Sequence, residues 1–203
     1  MKKVLSVALL LAVMASCNKN KQDVTSYEVN STRSVAGWKG ATPNHFHTGT
    51  FAILGRINTR SDGSIIGGRF SIPIASIQND DLPNPIRQEL LNHLKSPDFF
   101  NMIAHPHASF TITKAVPFTT SDTAAITGAN YLLTGNFSMI GQTHAVTFPA
   151  KISMERDSVK AEARFKLDRT RWGMSSFSDP TKELYILPDV DMHLIIQAGK
   201  KQN

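Results

Sequence analysis

The sequence predicts an all-β protein: an antiparallel up-and-down barrel of about eight strands with one α-helix near residues 84–96. Three observations predict it. Segment after segment alternates apolar and polar residues with period two, the mark of antiparallel strands wet on one face. Short turn signals, Asp62-Gly63, Gly141-Gln142 and Arg156-Asp157, separate adjacent segments. A single stretch breaks the pattern, with Leu90, Leu91 and Leu94 spaced to share one helical face. Closing such strands into a barrel removes exposed edges.

In chain order, Lys2 and Lys3 precede an apolar run from Val4 to Met14. The run is shorter than the roughly 20 residues a spanning helix needs, so 1–16 reads as a signal peptide. Ala15 and Ser16 then lead into Cys17, the pattern of a bacterial lipoprotein. Lipid would join the Cys17 sulfur and cleavage would make Cys17 the new N-terminus. The alternative is an ordinary secretory signal with a chance cysteine. Residues 17–26 read as a lipidated N-terminus and flexible tether, reaching roughly 16 Å as a coil. Residues 27–199 read as the barrel domain. Cys17 is the one cysteine, so no disulfide forms within the chain and the fold rests on its apolar core.

Phe51, Ile53 and Ile57 share a face of the early strands, and Phe70, Ile72 and Ile74 share one of the next. The helix follows and should end by Ser96, because Pro97 pushes its predecessor out of the α region. Phe99 and Phe100 then sit between helix and strand, as an aromatic cap for one end of the barrel. Phe110 and Ile112 alternate with Thr111 and Thr113. Tyr131, Leu133, Phe137 and Met139 face one way; so do Val146, Phe148, Ala150, Ile152 and Met154. Ala161, Ala163, Phe165 and Leu167 alternate with Glu162, Arg164, Lys166 and Asp168. Met192 and Leu194 continue the row of the last strand.

The inward rows carry most of the aromatics and also small residues, at Gly55, Gly135, Ala150, Ala161 and Ala163. Eight-stranded barrels hold either packed side chains or one ligand. The rings fill the core, or the small residues leave an apolar lumen for an isoprenoid or acyl chain; the pattern fits both. Burial of such a chain contributes about 0.8 kcal/mol per CH₂.

Two histidine pairs, His45/His47 and His105/His107, each put two imidazoles on one side of an extended segment. If their strands met they could hold zinc and support a metal-dependent enzyme; otherwise they are rim residues. His144 and His193 are expected to face outward. Asp168, Arg169 and Arg171 cluster beside Trp172. They would fix a ligand headgroup at the lumen mouth, or form an ion-paired latch on the last strands. No G-x-S-x-G elbow, P-loop or dinucleotide fingerprint occurs, so the sequence calls for no cofactor and no catalytic residue. The formal charge is +6 and falls to +4 without Lys2 and Lys3. The basic residues are scattered, which argues for a solvated surface and against a nucleic-acid partner.

Seven blocks, in order, resemble the YceI-like family of lipid- and polyisoprenoid-binding proteins. They are HFHTGTF (His45–Phe51), GGRFSIPIASIQNDD (Gly67–Asp81), HLKSPDFF (His93–Phe100), HPHASFTIT (His105–Thr113), YLLTGNFSMIGQTHAVTFPA (Tyr131–Ala150), LDRTRWGM (Leu167–Met174) and DVDMHLIIQA (Asp189–Ala198). The resemblance implies a lipocalin-like barrel, not an enzyme, with a long-chain lipid such as a polyisoprenoid in its lumen. It implies no metal. It also leads one to expect a glycine-rich loop with an aromatic pair after Met174, where this chain has SSFSDPTKELYILP. Asn18 differs from the aspartate that retains some lipoproteins at the inner membrane. The expected location is therefore the outer membrane, facing the periplasm, with a structural interaction module as the remaining alternative role.

Overall fold

The computed structural model describes residues 23–119 and 126–200. Eleven strands form one antiparallel sheet: β1 (Val24–Val29), β2 (Val35–Ala41), β3 (Phe46–Ala52), β4 (Leu54–Arg60), β5 (Ile65–Pro73), β6 (Gln78–Asn79), β7 (His107–Pro117), β8 (Tyr131–Met139), β9 (Gln142–Met154), β10 (Ser158–Asp168) and β11 (Asp189–Lys200). They make eight walls, because β1 with β2 and β4 with β3 are two broken walls and the two-residue β6 is an added strand on β3. Both β1 and β2 run antiparallel to β11, and they pair in turn with β4 and β3. The β1–β11 ladder, Tyr27↔Lys200 to Val29↔Ala198, closes the barrel. The first strand takes up residues 24–26 of the stretch read as tether.

The helix α1 (Ile86–Lys95) lies within the predicted span and is capped at Ser96, whose backbone is extended before Pro97. Its apolar face is half-buried: Leu91 and Leu94 pack against the core. The turn between β8 and β9 falls one residue earlier than the sequence suggested. Met139 pairs with Gln142, so Ile140 and Gly141 form it, both at positive φ. That is the twist two-residue hairpins favour.

One end of the barrel is splayed. β5 pairs with β4 and β7, but no ladder joins it to β3. The two-residue β6 pairs with β3 there, and Ser76 Oγ accepts from the Ala52 amide at 3.0 Å. Helix α1 and the segment from Met174 to Pro188 also gather at this end, beside the ends of β2, β5, β8 and β10. The opposite end carries the start of β1 and the β4–β5 and β9–β10 turns.

The inward rows form one continuous core. Along one side the rings of Phe70, Phe110, Phe148 and Phe165 follow one another, with centroids 6.3, 5.6 and 4.2 Å apart. Phe110 reaches Phe148 by leaning across β8 at Gly135. A Cβ there would lie 2.4 Å from Phe110 Cζ, so only glycine admits the ring. Gly135 is therefore occupied space and leaves no lumen volume. Each aromatic pair adds about 0.5–1.5 kcal/mol beyond its burial.

Candidate functional site

Two connected cavities run along the barrel. The deep one, about 100 Å³, is walled by strand residues and by Ile53, which joins β3 to β4. Ile53, Phe70, Phe110, Ile112, Leu133, Phe148, Ala161, Ala163, Phe165 and Leu194 all line it. Its one charged wall residue, Glu162, directs its carboxylate to His193 Nε2 at 2.8 Å and is 40% exposed, so the charge lies outside. The second cavity, about 310 Å³, sits at the splayed end and forms a mouth. Phe51, Phe99, Phe100 and Arg169 line it, and Ile72, Phe137, Leu167 and Met192 are shared by both cavities. Tyr131 lines neither and packs against the core from the start of β8. Both sequence readings of the interior thus hold in part: rings fill one side, and space remains beside them.

The aromatic cap has a defined construction. Phe100 meets Phe51 edge-on at 5.5 Å, and Phe99 stacks with Phe177 at 6.1 Å. His93, on the last turn of α1, meets both Phe99 and Phe177 edge-on. Phe177 belongs to SSFSDPTKELYILP, so this loop supplies its own ring to the mouth, along with Leu184 and Ile186. Phe46 and Leu184 leave about half their surface in solvent at the rim.

Arg169 is 3% exposed and holds that loop in place. Its guanidinium donates to the carbonyls of Met174, Ser176 (3.0 Å), Ile186 (2.9 Å) and Leu187 (3.3 Å). Burial pulls the guanidinium below its ordinary pKa, and Asp168 and Tyr185 partly oppose this. The latch expected from the sequence is there, but carbonyls make it, not an ion pair. Asp168 instead caps the following turn, accepting from the Thr170 amide and hydroxyl. Trp172 is fully buried outside both cavities, donating Nε1–H to the Phe137 carbonyl at 3.0 Å, with Arg171 over its ring. It props the wall beneath the mouth. His144, expected to face outward, shares the inward row of Val146 and Phe148 and packs edge-on against Trp172 at 5.2 Å.

The histidine pairs lie in different places. His45 and His47 line the mouth, 5.4 Å apart. His105 lies beside Gly141, and His107 opens β7 opposite Pro73. Among the described residues no three of His, Cys, Asp or Glu converge as metal ligands. His45 Nδ1 pairs with Thr42 Oγ1 at 2.8 Å, and His47 Nδ1 with Asp81 Oδ2 at 2.7 Å. Asp81 also accepts from the Thr48 amide and from Asn79 Nδ2, both at 2.7 Å. Partial burial works to raise the Asp81 carboxyl. Hydrogen bonds from His47, Thr48 and Asn79 outweigh it and hold the group below its ordinary pKa. Cys17 lies outside the described residues.

The model of the YceI-like domain family matches residues 27–198, the whole barrel. The chain belongs to the YceI-like domain family. A search of curated proteins finds no match. Solved structures show the same fold. Burkholderia cenocepacia BcnA is similar with TM-score 0.66 and 16% identity, over 84% of this chain and 99% of that one. A polyisoprenoid binding domain from Saccharophagus degradans, implicated in plant cell wall breakdown, gives TM-score 0.63 and 10% identity, over 86% and 98%. The Campylobacter jejuni YceI protein gives TM-score 0.56 and 20% identity, over 74% and 82%. At these identities the likeness is one of fold. Within this YceI-like domain sequence reasoning named Phe99, Phe100 and Arg169 for the mouth and left out most of its remaining lining. Ala36, Trp38, Ile74, Ile77, Leu90 and Met139 line it, drawn from β2, the turn after β5, α1 and β8. Ile74, Met139 and Leu90 lie on apolar rows already read from the sequence; for Ala36 and Trp38 the signal was their alternation with Gly40.

Proposed function

We propose that this YceI-like domain binds a long apolar lipid, of which a polyisoprenoid is the leading candidate, with its chain in the deep cavity and its end at the mouth. The observation that carries this reading is the pair of adjoining cavities, the deep one wholly apolar and the outer one lined mainly by apolar side chains beneath an aromatic cap. An apolar cavity of this kind stays dry and favours apolar guests. The Saccharophagus degradans relative, a polyisoprenoid binding domain by description, supports the choice of ligand. The role is that of a carrier or sequestering protein, not an enzyme. Organic extraction of the purified protein followed by mass spectrometry tests it. About one long-chain lipid per protein is expected, and a protein that neither carries nor takes up such a lipid would sink the reading.

The signal-like start and Cys17 support a lipid-anchored location in the bacterial envelope, facing the periplasm from the outer membrane. Cys17→Ala should yield a protein that is exported but no longer sediments with membranes. If the variant still pellets after a high-salt wash, Cys17 is not the anchor.

A further inference from the structure

One stretch of the barrel wall is not sheet. Among the described residues, β3 and β5 face each other across the splayed end without a ladder between them. Residues 74–81 fill that gap as a strap: a short helical turn, Ile74–Ser76, and then β6. Ile74 and Ile77 are 2% and 3% exposed and line the mouth, so the strap is part of the lumen wall.

The strap is held differently from its neighbours. The ladder of β10 on β11 runs unbroken from Ser158 to Asp168, whereas β6 meets β3 only at Asn79↔Gly49 and Gln78↔Thr50. Side chains supply much of the rest. Ser76 Oγ accepts from the Ala52 amide at 3.0 Å and donates to the Pro73 carbonyl at 2.6 Å, so one hydroxyl bridges the ends of β3 and β5. The Thr48 carbonyl accepts from Asn79 Nδ2 and from the Asp80 amide, both at 3.0 Å, and the Thr48 amide donates to Asp81. Gly49 provides the seat: a Cβ there would lie 1.9 Å from the Gln78 carbonyl, so only glycine lets the strap lie down on β3. On the other side the chain continues from Pro73, and the Ile74 amide donates to the Pro106 carbonyl at 2.9 Å. Segments with short ladders open at a lower free energy than the long ladders beside them. The strap can therefore swing off β3 about Ile74 while the β5–β7 ladder stays whole.

We propose that the strap is a lateral gate, through which the lipid chain enters the lumen sideways between β3 and β5. This rests on the lipid-binding reading above. Lifting the strap takes Ile74 and Ile77 out of the wall and opens a slot leading down to Ile72 and Ile53, which line the deep cavity. A slot admits a long chain along its length. End-on entry would instead have to part the Phe51–Phe100 and Phe99–Phe177 contacts of the cap.

Two changes push such a gate in opposite directions. Thr50→Cys with Gln78→Cys, in a Cys17→Ala background, places thiols on directly opposed residues of β3 and β6. Opposed residues of antiparallel strands have Cα atoms about 4.5–5.5 Å apart, within disulfide range. Oxidation then locks the strap down. Ser76→Ala removes the bridging hydroxyl and loosens it. Uptake of a fluorescent farnesol analogue from phosphatidylcholine vesicles is followed by stopped flow, and its release likewise. The locked form should take up and release the probe at least about tenfold more slowly at unchanged affinity, and reduction should restore both rates. Ser76→Ala should take it up about fivefold faster. A control disulfide from Thr134→Cys and Thr147→Cys, opposed on the β8–β9 ladder, should change neither rate. Equal rates in the locked and reduced forms would overturn the gate and leave entry to the mouth. Equal slowing by the control disulfide would overturn it too, since stiffening anywhere would then suffice. A lock that lowers affinity without slowing exchange would make the strap a fixed wall. If the wild type takes up no probe, the lipid-binding reading falls first and this inference with it.

Discussion

The deep cavity and the mouth are parts of one lumen built by different means. The deep cavity is a product of strand alternation: its apolar wall residues sit on inward rows, and the registers of β5 and β7 to β11 bring those rows together. The mouth is assembled from strand ends, a helix, a cap and a long loop, tied by side-chain to backbone hydrogen bonds. A barrel can therefore fix the shape of its interior by period two alone. The chemistry of its opening depends on contacts between residues far apart in sequence. The two regions should fail differently when they are disturbed.

The largest effect is expected at the latch. Arg169→Ala would leave four loop carbonyls without their donor, together with a hole where the guanidinium sat. Removing one partner of a buried charged network typically costs about 3–5 kcal/mol. Denaturant unfolding should show a loss in that range, and limited proteolysis should cut near Lys182 before the barrel strands. Arg169→Lys should recover only part of it, because an ammonium cannot span carbonyls on both sides of the loop as the planar fork does. A loss under about 1 kcal/mol for Arg169→Ala would mean that the loop is held by its apolar contacts instead.

A smaller cost, but a complete loss of capacity, is expected in the deep cavity. Ala163 is buried and its methyl group faces the cavity from β10. In a filled core, Ala163→Phe would cost about 1–3 kcal/mol through strain. With space already present, the delipidated variant should lose about 1 kcal/mol or less while extraction recovers no lipid. A variant several kcal/mol less stable, from a wild type without extractable lipid, would establish a packed core in which the cavity has no use.

Most of the barrel was legible from sequence because period two is a local property. The row Val159, Ala161, Ala163, Phe165 and Leu167 reads inward from the chain itself, and the structure keeps every member inward. The helix was legible because Leu90, Leu91, Leu94 and Pro97 state its face and its end locally. The mouth was not, since nothing near Arg169 says that carbonyls up to 18 residues away will claim its donors. His144 was misplaced because the row Val146 to Met154 was not extended across Ala145 to the strand's beginning. Trp38 went unread for a similar reason: its position shows only when β3, β6 and Gly49 enclose it.

The smallest effect distinguishes the two regions by their charge. The mouth holds an ionised group in its structure, Asp81; the deep cavity faces none. Hydrogen bonds hold the Asp81 carboxyl below its ordinary pKa in the folded protein, so folding favours the deprotonated form. The sign follows. The stabilisation is fully present above the unfolded value of about 3.9 and is lost as the pH falls through the lower folded value. Asp81→Asn should then be less stable than the wild type at pH 7, by about 1 kcal/mol or less, because the carboxylate is partly open to solvent. The gap should narrow as the solution is acidified below about pH 4. The depressed carboxyls of Asp62, Glu155 and Asp179 are common to both proteins and cancel in the difference. Ala163→Phe supplies the contrast: its offset from the wild type should stay constant over the same range, because no charge in the deep wall titrates against the ring. Urea unfolding of all three proteins between pH 7 and pH 3 measures both. An Asp81→Asn offset as flat as that of Ala163→Phe would remove the carboxylate from the structure of the mouth.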